Sequence, residues 1–156
     1  MTEQQLKKLV TEVVESLGDK EMTLDLALAL TEKVKAKANE MGVNAVVAVS
    51  NSAGNPVTVQ CMDNSYIASY DIALNKAYTV VALKMPTTTL KELAAPGGSL
   101  YGIQFTNGGK IVIFGGGVPL YNKSGKIIGG LGVSGGSEGE DTALAEFGGE
   151  VFKSLI

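Results

Sequence analysis

The sequence predicts an α+β fold in which an antiparallel sheet of about five strands packs with helices. Over residues 3–41, apolar side chains recur at steps of three and four, which is the period of a helix. The pattern then changes to β-branched segments joined by short polar turns, and such tight turns connect antiparallel strands. Another helical pattern closes the chain, so helices and strands both contribute to one core.

Length and composition restrict the possible functions. The 156 residues fit a single domain, 1–156, with a globular share of 45% hydrophobic residues. A net charge of −3 without a basic tract argues against a nucleic-acid partner. There is neither an apolar run of about 18 residues nor an apolar leader segment, so we expect no membrane partner and a cytoplasmic location.

The sequence contains no histidine and a single cysteine, Cys61. The absence of imidazole excludes serine–histidine and cysteine–histidine catalysis and most zinc sites, so we predict no metal site. One cysteine cannot form an internal disulfide. We expect its thiol to be packed or half-buried at the end of a strand.

Two helices are predicted before the strands. Apolar residues from Leu6 to Leu17 form one stripe, which predicts a peripheral N-terminal helix within residues 1–20. Thr23 is a typical N-cap for a second helix, which runs to Met41 and ends at Gly42.

The middle of the chain predicts a hairpin and two further helices. Segments 43–50 and 57–62 flank a turn that is rich in Asn, Gly and Pro, which indicates an antiparallel pair. Residues 66–84 have a helical pattern that ends before Pro86. Thr89 and Glu92 have the spacing of a capping box, which predicts a short helix after the proline.

Glycine is concentrated late in the chain, where 15 of the 20 glycines lie between positions 97 and 139. A strand at 110–114 and two more within 115–136 are predicted, before a last helix from about Ser137. The spacing at 130–135 matches G-x-G-x-x-G, but the βαβ unit of a dinucleotide site is missing. We interpret these glycines as turn residues and as one wall of a ligand pocket.

Lys76 is the main chemical signal, because it falls within the apolar stripe of the 66–84 helix. A buried ammonium requires a partner, and Asp63 and Asp141 are the candidates. Alternatively, Lys76 extends to the surface or forms a purely structural ion pair. The amides at 134–137 could hold an anion, or Ser137 and Glu140 could simply cap the last helix.

With these residues in view, the chain resembles the GlcG/HbpS-like family, which includes the C-terminal domain of PduO-type proteins. The resemblance covers residues 23–141. It is carried by the following positions: Met62-Asp63, 69–73, Lys76-Ala77, Pro-Gly-Gly-Ser-Leu-Tyr-Gly at 96–102, Asn-Gly-Gly at 107–109, 115–120 and Gly-Val-Ser-Gly at 132–135.

The resemblance implies a profilin-like sandwich, homo-oligomers, and binding of haem or a corrinoid in a propanediol, glycerol or glycolate utilisation context. This sequence departs from many relatives at Asn51 and Tyr78, and in the loops of Asn55 and Phe105, where histidines are frequent. Haem would therefore be held by Met62, a tyrosine, a threonine or apolar contacts. The adenosyltransferase domain of two-domain relatives has no counterpart here, so that reaction is not expected.

We therefore expect a small-ligand-binding accessory protein with its pocket between the 66–84 helix and the glycine-rich strands. One alternative is an enzyme that acts on a small oxygenated metabolite, with Lys76 as base or Schiff-base former. Another is a structural subunit of a homo-oligomer. The candidate ligand-binding residues are Asp63, Lys76, Asn107, Gly108, Gly116, Pro119, Ser134 and Asp141.

Overall fold

A computed structural model describes residues 1–18 and 20–156 as an α+β fold. Within these ranges there are five α-helices and four strands. The helices are α1 (Glu3–Gly18), α2 (Leu24–Met41), α3 (Ile67–Ala82), α4 (Thr87–Ala94) and α5 (Glu138–Leu155). The strands are β1 (Val46–Asn51), β2 (Pro56–Cys61), β3 (Gly117–Tyr121) and β4 (Ile127–Ser134). The side chain of Leu17, part of the predicted apolar stripe, lies outside the described residues.

The strands form one antiparallel sheet in the order β2-β1-β4-β3. The prediction of about five strands is wrong by one, because segment 110–114 joins no ladder in the described structure. The backbone N–H of Val112 instead donates to Oγ1 of Thr79, 3.0 Å away. That hydroxyl also donates to the carbonyl of Lys110. A side chain of α3 thus takes the place of a neighbouring strand.

Helices cover both faces of the sheet. Alternate side chains of β1 point to opposite faces, since Val46 and Ala48 pack with Ala73 and Ala77 of α3. The neighbouring β1 positions Val47 and Val49 join the larger core with α2 and α5. The central strands are therefore buried between α3 on one side and α2 with α5 on the other.

The glycines of β4 allow α3 to pack directly on the sheet. A Cβ atom on Gly132 would overlap the carbonyl oxygen of Ala73, and one on Gly130 would overlap that of Ala77. Because helix backbone fills this space, the structure differs from our expectation of a ligand pocket between α3 and the glycine-rich strands. These glycines serve close helix–sheet packing.

The structure confirms the predicted caps of α2 and α5. The side chain of Thr23 accepts from the N–H of Leu26 and caps α2, and Ser137 forms the complete capping box of α5 with Glu140. The short helix predicted after the proline is confirmed as α4, but Thr89 lies inside its first turn and does not cap it. Helix α4 begins at Thr87, directly after Pro86, whose φ of −61° suits a helix entry.

The two hairpin turns share one hydrogen-bond pattern. Oδ1 of Asn51 accepts from the backbone of Ala53 and Asn55, and Oδ1 of Asn122 accepts from Ser124 and Lys126. The Asn-x-x-Gly spacing in both turns therefore has the same physical basis. Among the described residues, no helix is both long and apolar enough to cross a bilayer.

Candidate functional site

Lys76 is fully buried in the middle of α3, among Ala73, Ala77 and Val80 of the apolar stripe. Its Nζ donates to the carbonyl oxygen of Val133 on β4 at 2.7 Å. It also lies 3.5 Å from Oδ2 of Asp141. Of the two predicted partners, Asp141 is the one in contact, and the alternative in which Lys76 extends to the surface is wrong.

Two neighbouring residues close the space around the ammonium. The ring centroid of Phe114 lies 5.1 Å from Nζ of Lys76, which is within the range of a cation–π contact. Gly116 has a φ of +115°, and a Cβ there would lie 2.5 Å from Nζ and 2.7 Å from the carbonyl oxygen of Val133. Glycine at 116 is therefore required for the lysine to reach its partners.

Burial dominates the electrostatics of this pair. Desolvation lowers the pKa of Lys76, although the charge and hydrogen bond of Asp141 act in the opposite direction. Desolvation also raises the pKa of Asp141, opposed by the N–H of Gly136 and by Lys76. With its ammonium enclosed by Val133, Asp141 and Phe114, Lys76 is placed to connect helices rather than to reach a substrate.

A second ion pair lies beside this centre, at the surface. Nζ of Lys91 lies 2.7 Å from Oε1 of Glu138, which also accepts from the backbone N–H of Gly115. These hydrogen bonds, chiefly that of Lys91, lower the pKa of Glu138. Glu138 also adds negative charge that favours the ammonium form of Lys76.

Carboxylates in the first turn of α5 accept hydrogen bonds from the backbone N–H groups that precede the helix. Oδ1 of Asp141 accepts from the N–H of Gly136 at 2.8 Å, and Oε1 of Glu140 accepts from that of Ser137 at 2.9 Å. The backbone donors considered for an external anion are thus already occupied. The structure therefore has the predicted alternative in which Ser137 and Glu140 cap the last helix.

A polar surface cleft lies at the end of the β1–β2 hairpin that is farther from its turn. We call it the Asn44–Asn64 cleft. It has two adjoining parts of about 530 and 420 Å³ that share Asn44 and Asn64. Asp63 lies here rather than beside Lys76. The first part is lined by Glu32, Lys35, Ala36, Asn39, Asn44, Gln60, Cys61, Met62, Asp63 and Asn64. The second includes Tyr66 and the start of α5.

The cleft carries three side chains that can donate to a haem iron. Cys61 is exposed, Met62 is partly exposed and Tyr66 is 71% exposed. The expectation of a packed or half-buried thiol is wrong, because Cys61 ends the edge strand β2. Among the described residues there is no cluster of three or more His, Cys, Asp or Glu suited to a metal ion. Thiol, thioether and phenol groups are among those that hold haem iron in proteins.

The remaining predicted site residues are dispersed. Oγ of Ser134 donates to Oγ of Ser69 at 3.0 Å in the interior. Asn107 accepts from the Tyr78 hydroxyl at 2.9 Å in an exposed loop, where Gly108 has a φ of +64°. Pro119 pairs with Gly130 and borders a separate groove. The structure thus brings together Lys76, Gly116 and Asp141, but not the full predicted set.

Sequence reasoning missed Asn44, Cys61, Asn64 and Tyr66 as cleft residues. The β1–β2 register pairs Val46 with Cys61 and so brings the start of β1 beside the end of β2, and the sequence periodicity does not specify this register. Asn64 also has a φ of +64°, a left-handed conformation in which asparagine is enriched. A turn at this end of the hairpin could therefore have been predicted.

Comparisons with known proteins place residues 22–150 within the model of the family described as haem degrading protein HbpS-like. A 15.0 kDa protein from the dhaT–dhaS intergenic region of Citrobacter freundii is 44% identical over 134 residues, 86% of this chain and 94% of that protein. The corrinoid adenosyltransferase PduO of the same organism is 37% identical over 75% of this chain, but the match spans only 35% of PduO. The crystal structure of PduOC in complex with haem superposes with a TM-score of 0.80 and 32% identity. It covers 88% of this chain and 96% of that one.

Proposed function

Since the chain belongs to the HbpS-like family, we propose that it is an accessory protein that binds haem or a related tetrapyrrole. The observation that carries this proposal is the haem complex of PduOC, which is 32% identical over 88% of this chain. Nearly the whole of that haem-binding module has a counterpart here. The ligand would be held without histidine, because the sequence contains none.

The Asn44–Asn64 cleft is the site that fits such a ligand best. When bound, haem would supply an iron centre, which proteins hold with the sulfur of cysteine or methionine, the phenol oxygen of tyrosine, or imidazole. Cys61, Met62 and Tyr66 offer the first three of these on one cleft. Lys35, whose Nζ already lies 2.6 Å from Oε1 of Glu32, supplies a cation for a carboxylate substituent of the ligand.

An apolar surface adjoins the cleft. Ile67, at the start of α3, is 98% exposed. Tyr66 directly before it is 71% exposed, and Tyr70, three positions after it, is 51% exposed. A flat macrocycle that packs on these side chains would bury apolar area, which is worth roughly 25 cal/mol per Å². A polar cleft beside an apolar patch suits a ligand with a hydrophobic ring and polar substituents.

The proposal also includes a biological setting and an oligomeric state. The family resemblance supports an accessory role in diol, glycerol or glycolate utilisation, and the assembly of the profilin-like domain into a homo-oligomer. A corrinoid is the second candidate ligand, because PduO is a corrinoid adenosyltransferase. Its catalytic activity is not carried over, since the chain corresponds to about a third of the length of PduO.

The enzyme alternative depends on Lys76 and is less well supported. A Schiff-base lysine must present a neutral amine to a carbonyl carbon. Burial does favour the neutral form, but the side chain has no exposed surface and its Nζ contacts Val133, Asp141 and Phe114. We therefore assign Lys76 a structural role. Borohydride trapping with candidate aldehydes should leave Lys76 unmodified.

Absorption titrations with haemin and with hydroxocobalamin test the proposed ligand class. We expect a saturable shift of the Soret band with haemin. A saturable change in the corrin bands alone would assign the ligand to the corrinoids instead. If neither spectrum changes on addition of a stoichiometric amount of the purified protein, the tetrapyrrole proposal is wrong.

A further inference from the structure

Helix α1 exposes an apolar face that its own chain leaves largely uncovered. Leu6, Leu9, Val10, Val13 and Val14 lie on one side of the helix, and each is 47–60% exposed. Their spacing of three and four residues continues through nearly the whole helix. We call these five residues the apolar face of α1.

A helix of this length needs a packing partner. Isolated helices shorter than about 12–15 residues are marginal in water even when they are rich in alanine, and α1 is only slightly longer, with 16 residues and no alanine. Its internal ion pairs, Glu3–Lys7 at 2.9 Å and Lys8–Glu12 at 3.9 Å, are exposed, and each contributes about 0.3–0.5 kcal/mol. Because α1 precedes the family match at residues 22–150, this face is separate from the shared domain.

We propose that the apolar face of α1 packs antiparallel against the same face of a second copy of the chain. The spacing of Leu6, Val10 and Val13, four and then three residues, is that of the buried positions of a two-helix coiled coil. Leu9 and Val14 widen the contact on either side. A second copy therefore offers a matching surface to each residue of the apolar face of α1.

Charge selects the antiparallel orientation. The N-terminal half of α1 carries Lys7 and Lys8 against one acid, Glu3, whereas the C-terminal half carries Glu12 and Glu15 and no basic residue. An antiparallel pair places each basic half beside the acidic half of the partner, whereas a parallel pair places like charges together. Opposed helix dipoles favour the same arrangement.

A matched pair of substitutions in the full-length protein tests the contact. Val10→Glu places a charge in the middle of the apolar face, and Thr11→Glu adds the same charge at the next position, outside that face. Light scattering after size exclusion should show about twofold fewer copies per particle for Val10→Glu than for the wild type. Thr11→Glu should match the wild type. If Val10→Glu and the wild type have equal masses, α1 does not pair with itself and the proposal is overturned.

Cysteine cross-linking tests the orientation. Two variants, Gln5→Cys and Ser16→Cys, are made in a Cys61→Ser background and mixed before mild oxidation. Antiparallel pairing about the centre of α1 brings positions 5 and 16 of different copies together, so the mixed disulfide should form first. If the 5–5 or 16–16 product forms first, or if no cross-link forms, the antiparallel pair is refuted.

Discussion

Nζ of Lys76, in the middle of α3, lies 3.5 Å from Oδ2 of Asp141, in the first turn of α5. These helices pack on opposite faces of the sheet, so a single buried ion pair connects the two outer layers. The ammonium also donates a hydrogen bond to the backbone carbonyl oxygen of Val133 on β4, at 2.7 Å. The pair is therefore a structural link between three elements.

Removing one partner of this pair should destabilise the fold. Lys76→Met keeps much of the side-chain volume but leaves the Asp141 carboxylate buried without its cation. We expect a loss of about 3–5 kcal/mol in the free energy of unfolding, measured with urea. Lys33→Met on the exposed side of α2 is the control and should change it little. The Lys76→Met/Asp141→Asn variant should lose less than the sum of the single variants. Additive losses would show that the two residues do not interact.

The pH dependence of stability should report the burial of Lys76. Because burial lowers its pKa in the folded state, the unfolded chain binds more protons between that lowered pKa and the ordinary value of 10.5. The free energy of unfolding of the wild type should therefore rise with pH in this interval, relative to Lys76→Met. Urea titrations of both proteins at alkaline pH measure the difference. A difference that falls with pH would mean that the folded state favours the ammonium.

The close contact between α3 and β4 predicts opposite effects for two glycine substitutions. Gly132→Ala would push a methyl group against the backbone of Ala73 and Ala77, so we expect a loss of about 1–3 kcal/mol in stability. Gly149→Ala in α5 meets only Cγ2 of Val118 at 3.5 Å and should gain about 0.5–1 kcal/mol from helix propensity. Thermal unfolding of both variants measures this contrast. Equal effects would show that α3 is not held against β4.

The N-cap of α5 should contribute measurably to the free energy of unfolding. Ser137→Ala removes the oxygen that accepts from the N–H of Glu140 at 3.2 Å. We expect a loss of about 1 kcal/mol in the free energy of unfolding. Ser137→Asp, which restores an acceptor at the N-cap, should recover most of it. If alanine and aspartate behave alike, the cap does not contribute.

Much of the fold could be predicted because the signals are local. Thr23, Gly42 and Ser137 mark helix ends by their own backbone and side-chain chemistry, and Asn51 and Asn122 do the same for the turns. The strand predicted at 110–114 was wrong because its β-branched residues fit a strand locally. Whether a strand forms depends on a distant partner, and here the hydroxyl of Thr79 supplies the hydrogen bonds.

The candidate site was predictable only in part, for the same reason. The burial of Lys76 followed from its position on an apolar stripe, and Asp141 was one of two acids considered. The Asn44–Asn64 cleft instead depends on where the first hairpin closes, which the periodicity of residues 43–62 does not specify. Asn107 and Gly108 share a glycine-rich segment with Gly116, yet they lie in a loop that contacts Tyr78.

Haem binding at the Asn44–Asn64 cleft is tested most directly by a haemin titration of two proteins, followed at the Soret band. One is the wild type, and the other carries Cys61→Ser, Met62→Leu and Tyr66→Phe, which remove the three iron donors while nearly conserving volume. Unfolding in urea first establishes that both proteins are folded. We predict a saturable Soret shift for the wild type and a weaker or displaced shift for the triple variant. Identical titrations of the two proteins, or no shift for the wild type, would contradict haem ligation at this cleft.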